Sequence, residues 1–210
     1  TCAIHSYAGT TTGSSSYSNA LIIPAKIGIY KVTQIDQSAF QGYQTFGSID
    51  FTHATFLKVI ESYAFAGCKL SANYFKDNSM DFTNTKLTTI GTHVFKNAIG
   101  SSNTDKNVCT FKYLKCPTTI QSVGQCAFGE ISGIGPWLRE DRSEPWFNQV
   151  YFTATDITTI GTLTFGSDWC HHANTQRGLD RLIYVKSGTK EYYTDKTNFI
   201  CGDWSSSWGR

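Results

Sequence analysis

Charge is scarce in this sequence. Lys, Arg, Asp and Glu make up 16% of its 210 residues, against about 25% in an ordinary globular domain. Eighteen basic and 16 acidic residues leave a net charge of +2, so the chain as a whole has no field to gather nucleic acid or an anionic membrane. Long apolar runs are also missing. The most apolar stretch, Ala20 to Tyr30, is broken by Pro24 and Lys26 and falls short of the ~18 residues a membrane span needs. Thr1 to Asn19 has no basic segment followed by an apolar one, so the expectation is a chain whose signal peptide has been removed. Seven cysteines are present without any C-x-x-C pair, which leaves the redox compartment open. Dinucleotide, P-loop and nucleophile-elbow motifs are absent, and with them the commonest sequence signatures of catalysis.

Hydroxyls and aromatics are plentiful. Ser and Thr number 47, and 14 Phe, 11 Tyr and 5 Trp supply ample apolar bulk for a core. A length of 210 residues suits one domain. The pattern that organises it is a repeat. Val32-Thr33-Gln34-Ile35-Asp36-Gln37-Ser38-Ala39-Phe40 returns as Leu57 to Phe65, Leu87 to Phe95, Ile120 to Phe128 and Ile157 to Phe165. In every copy an aliphatic is followed three residues later by Ile or Val, and five residues after that by Phe. Ahead of each copy stands a short alternating segment: Leu21-Ile22-Ile23, Ile49-Asp50-Phe51, Met80-Asp81-Phe82, Cys109-Thr110-Phe111 and Val150-Tyr151-Phe152. Ile183-Tyr184-Val185 follows the last copy. Each reads as a strand with its outer two residues inward and its middle residue outward.

One such unit cannot bury its own Ile and Phe. Stacked units can, which makes the expected fold a mainly β solenoid with short turns or 3-10 segments and few helices. The reading divides the chain into an N-terminal tail or cap (1–20), an array (21–185) with inserts at 129–149 and 166–181, and a C-terminal cap (186–210).

Ile60-Glu61-Ser62-Tyr63-Ala64-Phe65-Ala66-Gly67-Cys68, with Ile90-Gly91-x-x-x-Phe95, resembles the BspA-like class of leucine-rich repeats, named for a bacterial surface protein. The resemblance covers about Leu21 to Trp204. The sequence departs from that pattern in its long inserts, in having Pro24 alone of the prolines that usually follow the strands, and in Val94 and Thr164 where Ala is common. The resemblance implies a right-handed solenoid with a parallel sheet on its concave face. It also implies a non-enzymatic, secreted or surface-attached bacterial protein that binds other macromolecules, often in adhesion.

Candidate sites follow from the slots. The outward strand column runs Ile22, Asp50, Asp81, Thr110, Tyr151, Tyr184, turning from acidic to aromatic, and the next outward slot holds Pro24, Thr52, Thr83, Lys112, Thr153 and Lys186. Exposed Tyr offers large contact area at low entropic cost, or else stacks across strands and only supports the sheet. Trp137 and Trp146, in the 129–149 insert with two Pro and several charges, could close over the edge of that face or form a local mini-core. Asp50 and Asp81 share a slot as a carboxylate pair would, but on an open sheet they read as solvated. Trp169-Cys170-His171-His172 concentrates metal-type ligands without the remaining spacing zinc requires. His93 falls in the slot of Tyr63, at a convex surface position. Cys68, Cys126 and Cys109 read as buried thiols, and pairing of Cys170 with Cys201 stays open.

The functional expectation is binding of a host or bacterial surface protein, or a glycan, by a monomer without metal or cofactor. The ligand residues are Tyr151, Tyr184, Trp137, Trp146, Asp50 and Asp81. The alternatives are a carbohydrate-binding accessory module built on Trp137, Trp146 and Tyr151, and a structural spacer.

Overall fold

The repeat's second aliphatic builds a sheet of its own. In the computed structural model, residues 1–6, 20–43, 45–68, 70, 74–96, 98, 111–128, 147–152, 159–160 and 182–185 are described. They form β1 (Cys2–Ile4), β2 (Ala20–Ile22), β3 (Lys26–Ile27), β4 (Tyr30–Ile35), β5 (Ser48–Asp50), β6 (Val59–Ile60), β7 (Ser79–Asp81), β8 (Thr89–Ile90), β9 (Phe111–Lys115), β10 (Ser122–Val123), β11 (Phe147–Phe152), β12 (Thr159–Ile160) and β13 (Leu182–Val185). Strands β1, β4, β6, β8, β10 and β12 lie side by side in that order, all parallel. Their register aligns Ile4, Ile35, Ile60, Ile90, Val123 and Ile160 in one row. Strand β3 folds back antiparallel on β4 as a hairpin. No α-helix occurs among the described residues.

The opposite face carries the alternating segments. Strand β2 pairs with β5, and β7, β9, β11 and β13 form a second parallel ladder. Met80, Leu114, Val150 and Ile183 are successive partners along it. The chain is thus a solenoid with parallel strands on two faces, where the sequence suggested a sheet on one face and turns on the other. Between the faces lies the core, in which Phe65, Phe82, Phe95 and Phe128 are fully buried.

The Phe of each repeat stacks on the next. Ring centroids are 5.2 Å apart for Phe40 and Phe65, 5.4 Å for Phe65 and Phe95, and 5.6 Å for Phe95 and Phe128, with planes within 12° of parallel. From the other face, Phe51 meets Phe65 edge-on at 6.2 Å and Phe82 at 4.6 Å, tying both faces into one cluster. The backbone of the turns stacks as well. Phe40 N–H donates to Ala64 O (2.8 Å), Phe65 N–H to Val94 O (3.0 Å) and Phe95 N–H to Ala127 O (3.0 Å), so buried peptide groups are satisfied from coil to coil.

That turn has a conformational cost. Ser38, Tyr63, His93 and Cys126, each third after the ladder aliphatic, have φ of 58°, 60°, 55° and 48°. L-residues avoid this left-handed region, and four coils accept it at one position, where it closes the turn and aims the Phe inward.

The fourth strand of the inner face lies elsewhere than the sequence suggested. Leu114-Lys115-Cys116, not Cys109-Thr110-Phe111, takes the inward-outward-inward place: Leu114 and Cys116 are buried and Lys115 is half-buried. Pro117 then follows this strand as Pro24 follows Ile23, a second proline in the place the family pattern favours. Cys2–Ile4 extends the ladder of β4, with Ile4 opposite Ile35 and Ile4 O accepting from Asp36 N–H at 2.9 Å.

Candidate binding face

Once the fourth strand is moved, the β7–β9–β11–β13 ladder aligns Asp81, Lys115, Tyr151 and Tyr184 at one register position, each the partner of the next, with Asp81 exposed and Lys115 partly so. Lys115 occupies the place the sequence suggested for Thr110, which lies outside the described residues. The paired tyrosines anticipated from the sequence are neighbours in register on β11 and β13. Ile22 and Asp50 are partners on the β2–β5 ladder.

The two aspartates are held by their own chain. Asp50 Oδ1 accepts from Thr52 N–H at 2.7 Å. Asp81 Oδ1 accepts from Thr83 N–H at 2.8 Å and from its hydroxyl at 2.6 Å. Asx turns of this kind bend the chain out of the strand, which explains why Asp and Thr recur two apart at the same repeat position. Partial burial of the Asp50 carboxyl pushes its pKa up, but the Thr52 hydrogen bonds and the charges of His53 and Lys76 outweigh it, and the pKa lies below the usual 3.8. Lys115 Nζ stands 3.5 Å from Asp81 Oδ2 with both side chains partly exposed. A pair of that kind is worth at most ~1 kcal/mol. Asp81 is therefore flanked by a cation and a turn rather than poised beside Asp50 as an acid–base couple.

Trp137, Trp146, His171, His172, Cys109, Cys170 and Cys201 lie outside the described residues. Cys68 and Cys126 are buried, as expected, and so is Cys116, which the sequence reading did not single out. Burial lifts the Cys68 thiol to about 12. Burial and then the Asp81 charge do the same to Cys116, also to about 12. Both are inert protonated side chains, and Cys68 Sγ donates to Phe40 O at 3.1 Å. His93 is only partly exposed and stacks on Tyr63 at 5.2 Å with planes 6° apart, so its slot is a side-chain ladder rather than a free surface position. Among the described residues no three His, Cys, Asp or Glu side chains gather as a metal site, and no helix is long and apolar enough to cross a membrane.

Residues 10–103 match, in six copies, the family model for the BspA type leucine-rich repeat region. That stretch is a BspA-type leucine-rich repeat array, and the same ladder register runs on past it through β10 and β12. The family is one of repeat proteins for protein–protein interaction or adhesion, generally without enzymatic activity. Comparison with curated proteins and with solved structures gives no match.

Proposed function

We propose that the chain is a non-enzymatic binding protein of the cell exterior that recognises a surface protein or glycan through the Asp81–Lys115–Tyr151–Tyr184 column. Asp50 extends the column on the neighbouring ladder, and the segment bearing Trp137 and Trp146 precedes β11 in the sequence. The observation that carries this reading is the register: four consecutive strands present, at one position, an acid, a base and two tyrosines. Residues at that position are not needed for the core, whose ladder is built by Met80 and Leu114 at 1% and 0% exposure. A mixed charged and aromatic stripe suits a folded protein surface, where Tyr supplies area and hydroxyl and the charges fix register.

The test is a screen of the purified chain against arrays of matrix proteins and glycans, repeated with a Tyr151→Ala/Tyr184→Ala double variant. The variant is expected to keep its melting temperature within a few degrees and to lose roughly tenfold in affinity, about 1.4 kcal/mol, for the ligand found. Unchanged affinity in the folded variant moves the site off this face.

A further inference from the structure

Of the five large apolar side chains exposed among the described residues, three lie together on one hairpin, while Ile22 and Tyr74 stand apart from it. In β3, β4 and their turn, Ile27 is 52%, Ile29 84% and Tyr30 56% exposed. Gly28, with φ of 60°, lets the chain reverse there. The tip of the hairpin, Ile27 to Tyr30, adds nothing to the buried ladder of its own coil, which is supplied further along β4 by Val32 and Ile35, both fully buried. An apolar tip held out in water is costly to keep and marks a contact surface.

Around the tip the charge is all of one sign. Lys26 is paired across the hairpin with Lys31, so both lie on one face of it. Lys31 Nζ sits 4.5 Å from the centre of the Phe56 ring. Phe56 and Lys86 occupy, in the next two coils, the place that Lys31 holds in the first. Lys58 N–H donates to Thr33 O and Lys86 N–H to Leu57 O, which puts these residues in successive neighbouring coils. All four lysines are exposed. The segments Pro24 to Gln34, Thr52 to Ile60 and Phe82 to Ile90, which build this edge, contain no acidic residue. The acids of these coils fall on the inner column, which is the strand column of the inner face, as Asp50 and Asp81, just beyond the ladder aliphatic, as Asp36 and Glu61, or ahead of β7, as Asp77. A net charge of +2 thus hides a segregated basic edge.

We propose that this hairpin and the lysine row beside it form a docking site for an anionic bilayer surface. The partner must be negative and must also take up a convex apolar tip. A polyanion such as a nucleic acid or a sulfated glycan satisfies the lysines and leaves Ile27 and Ile29 in water. A peptide needs a groove, whereas this tip projects. A lipid surface meets both demands: Ile27 and Ile29 enter the acyl boundary, Tyr30 sits at headgroup level, and the lysine stems extend so that their ammonium groups reach the phosphates. Attachment of this kind is peripheral and salt-sensitive, and it leaves the inner column free for its own partner.

The experiment is vesicle flotation of the whole chain with phosphatidylcholine vesicles, with and without phosphatidylglycerol. Ile27→Ser/Ile29→Ser and Lys26→Gln/Lys31→Gln/Lys58→Gln/Lys86→Gln variants run alongside, and Ile29→Trp serves as a fluorescent reporter of insertion. Expected are binding only to the anionic vesicles, a loss of roughly tenfold or more in each multiple variant, release at high salt, and a blue shift of Ile29→Trp emission with those vesicles. The substituted positions are exposed, so the variants should fold, which circular dichroism checks. Failure of the unaltered chain to float with anionic vesicles would overturn the proposal. So would binding that survives both multiple variants, or an unshifted Ile29→Trp. Retention on heparin that ignores the isoleucine substitutions, without flotation, would reassign the lysine row to a polyanion and overturn it likewise.

Discussion

Two glycines set how closely the coils approach. Gly91 and Gly124 follow the ladder aliphatic, where the first two coils have Asp36 and Glu61. A Cβ on Gly91 would lie 2.5 Å from Ser62 N, and one on Gly124 would lie 2.5 Å from Gly91 C and from Thr92 N. These contacts are with backbone, which cannot step aside without opening the stack. Gly124→Ala is therefore expected to destabilise by about 1–3 kcal/mol, as overpacking does, read as a lower denaturation midpoint. A variant as stable as the parent would show that the coils can separate freely at that corner. The buried thiols make a second residue-scale prediction. Cys68 and Cys116 have pKa values raised from 9.0 to about 12, so the folded state holds their protons more tightly than the unfolded chain does. Their stabilising contribution is complete below pH 9 and is lost as the pH climbs toward 12. At pH 8, alkylation of the folded chain followed by peptide mapping should leave both unlabelled and label them after unfolding. Labelling of either in the native protein at a free-thiol rate would contradict the burial.

At the scale of the element, the Phe stack is the chief source of cohesion, because its interior rings, Phe65 and Phe95, each have a stacked partner on both sides. Phe65 contacts Phe40, Phe95 and Phe51, so Phe65→Ala is expected to cost ~3–5 kcal/mol through lost burial and a residual cavity. Urea denaturation of the variant measures this, and an unchanged midpoint would deny the stack its role. The stack was legible in the sequence because its residues recur at fixed spacing within a short window. The fourth inner strand was not, because Cys109-Thr110-Phe111 and Leu114-Lys115-Cys116 both alternate correctly and the first ends in the expected aromatic. The length of the turn separates them. Phe51 precedes Leu57 by six residues and Phe82 precedes Leu87 by five; Cys116, four before Ile120, keeps that reach, whereas Phe111, nine before it, matches only the first unit, where the hairpin lengthens the connection from Ile23 to Val32. The sheet built on β4, β6, β8, β10 and β12 escaped notice since most of its strands are two residues long, too short for alternation to register. β1 left a signal that was there to be read: Ile4-His5-Ser6-Tyr7-Ala8 repeats Ile60-Glu61-Ser62-Tyr63-Ala64 in all but one residue. The face of the proposed site was visible as a column of slots, but its members depend on register, and a slip of one strand exchanged Thr110 for Lys115.

For the molecule as a whole, stacking makes stability a nearest-neighbour property. A coil in the middle of the array is held from both sides. Among the described residues β1 is paired on one side only, with β4, and its Ile4 is only partly buried while Ile35, Ile60 and Ile90 are completely so. The same backbone bond recurs at each step of this sheet: Asp36 N–H to Ile4 O, Glu61 N–H to Ile35 O, Gly91 N–H to Ile60 O, at 2.9, 2.9 and 2.8 Å. Since the geometry is constant, differences in how often these bonds open report the stability of the coils rather than of the bonds. Opening the first requires only β1 to leave, while opening the third requires β6 and β8 to part, which breaks the Phe65–Phe95 contact as well. Native-state hydrogen exchange should therefore find the Asp36 amide exchanging fastest, Glu61 more slowly and Gly91 most slowly, with protection falling from the interior coils toward β1. Equal protection at all three would mean that β1 is lost only when the entire array unfolds, and the stack would then behave as one cooperative block rather than as a row of neighbours.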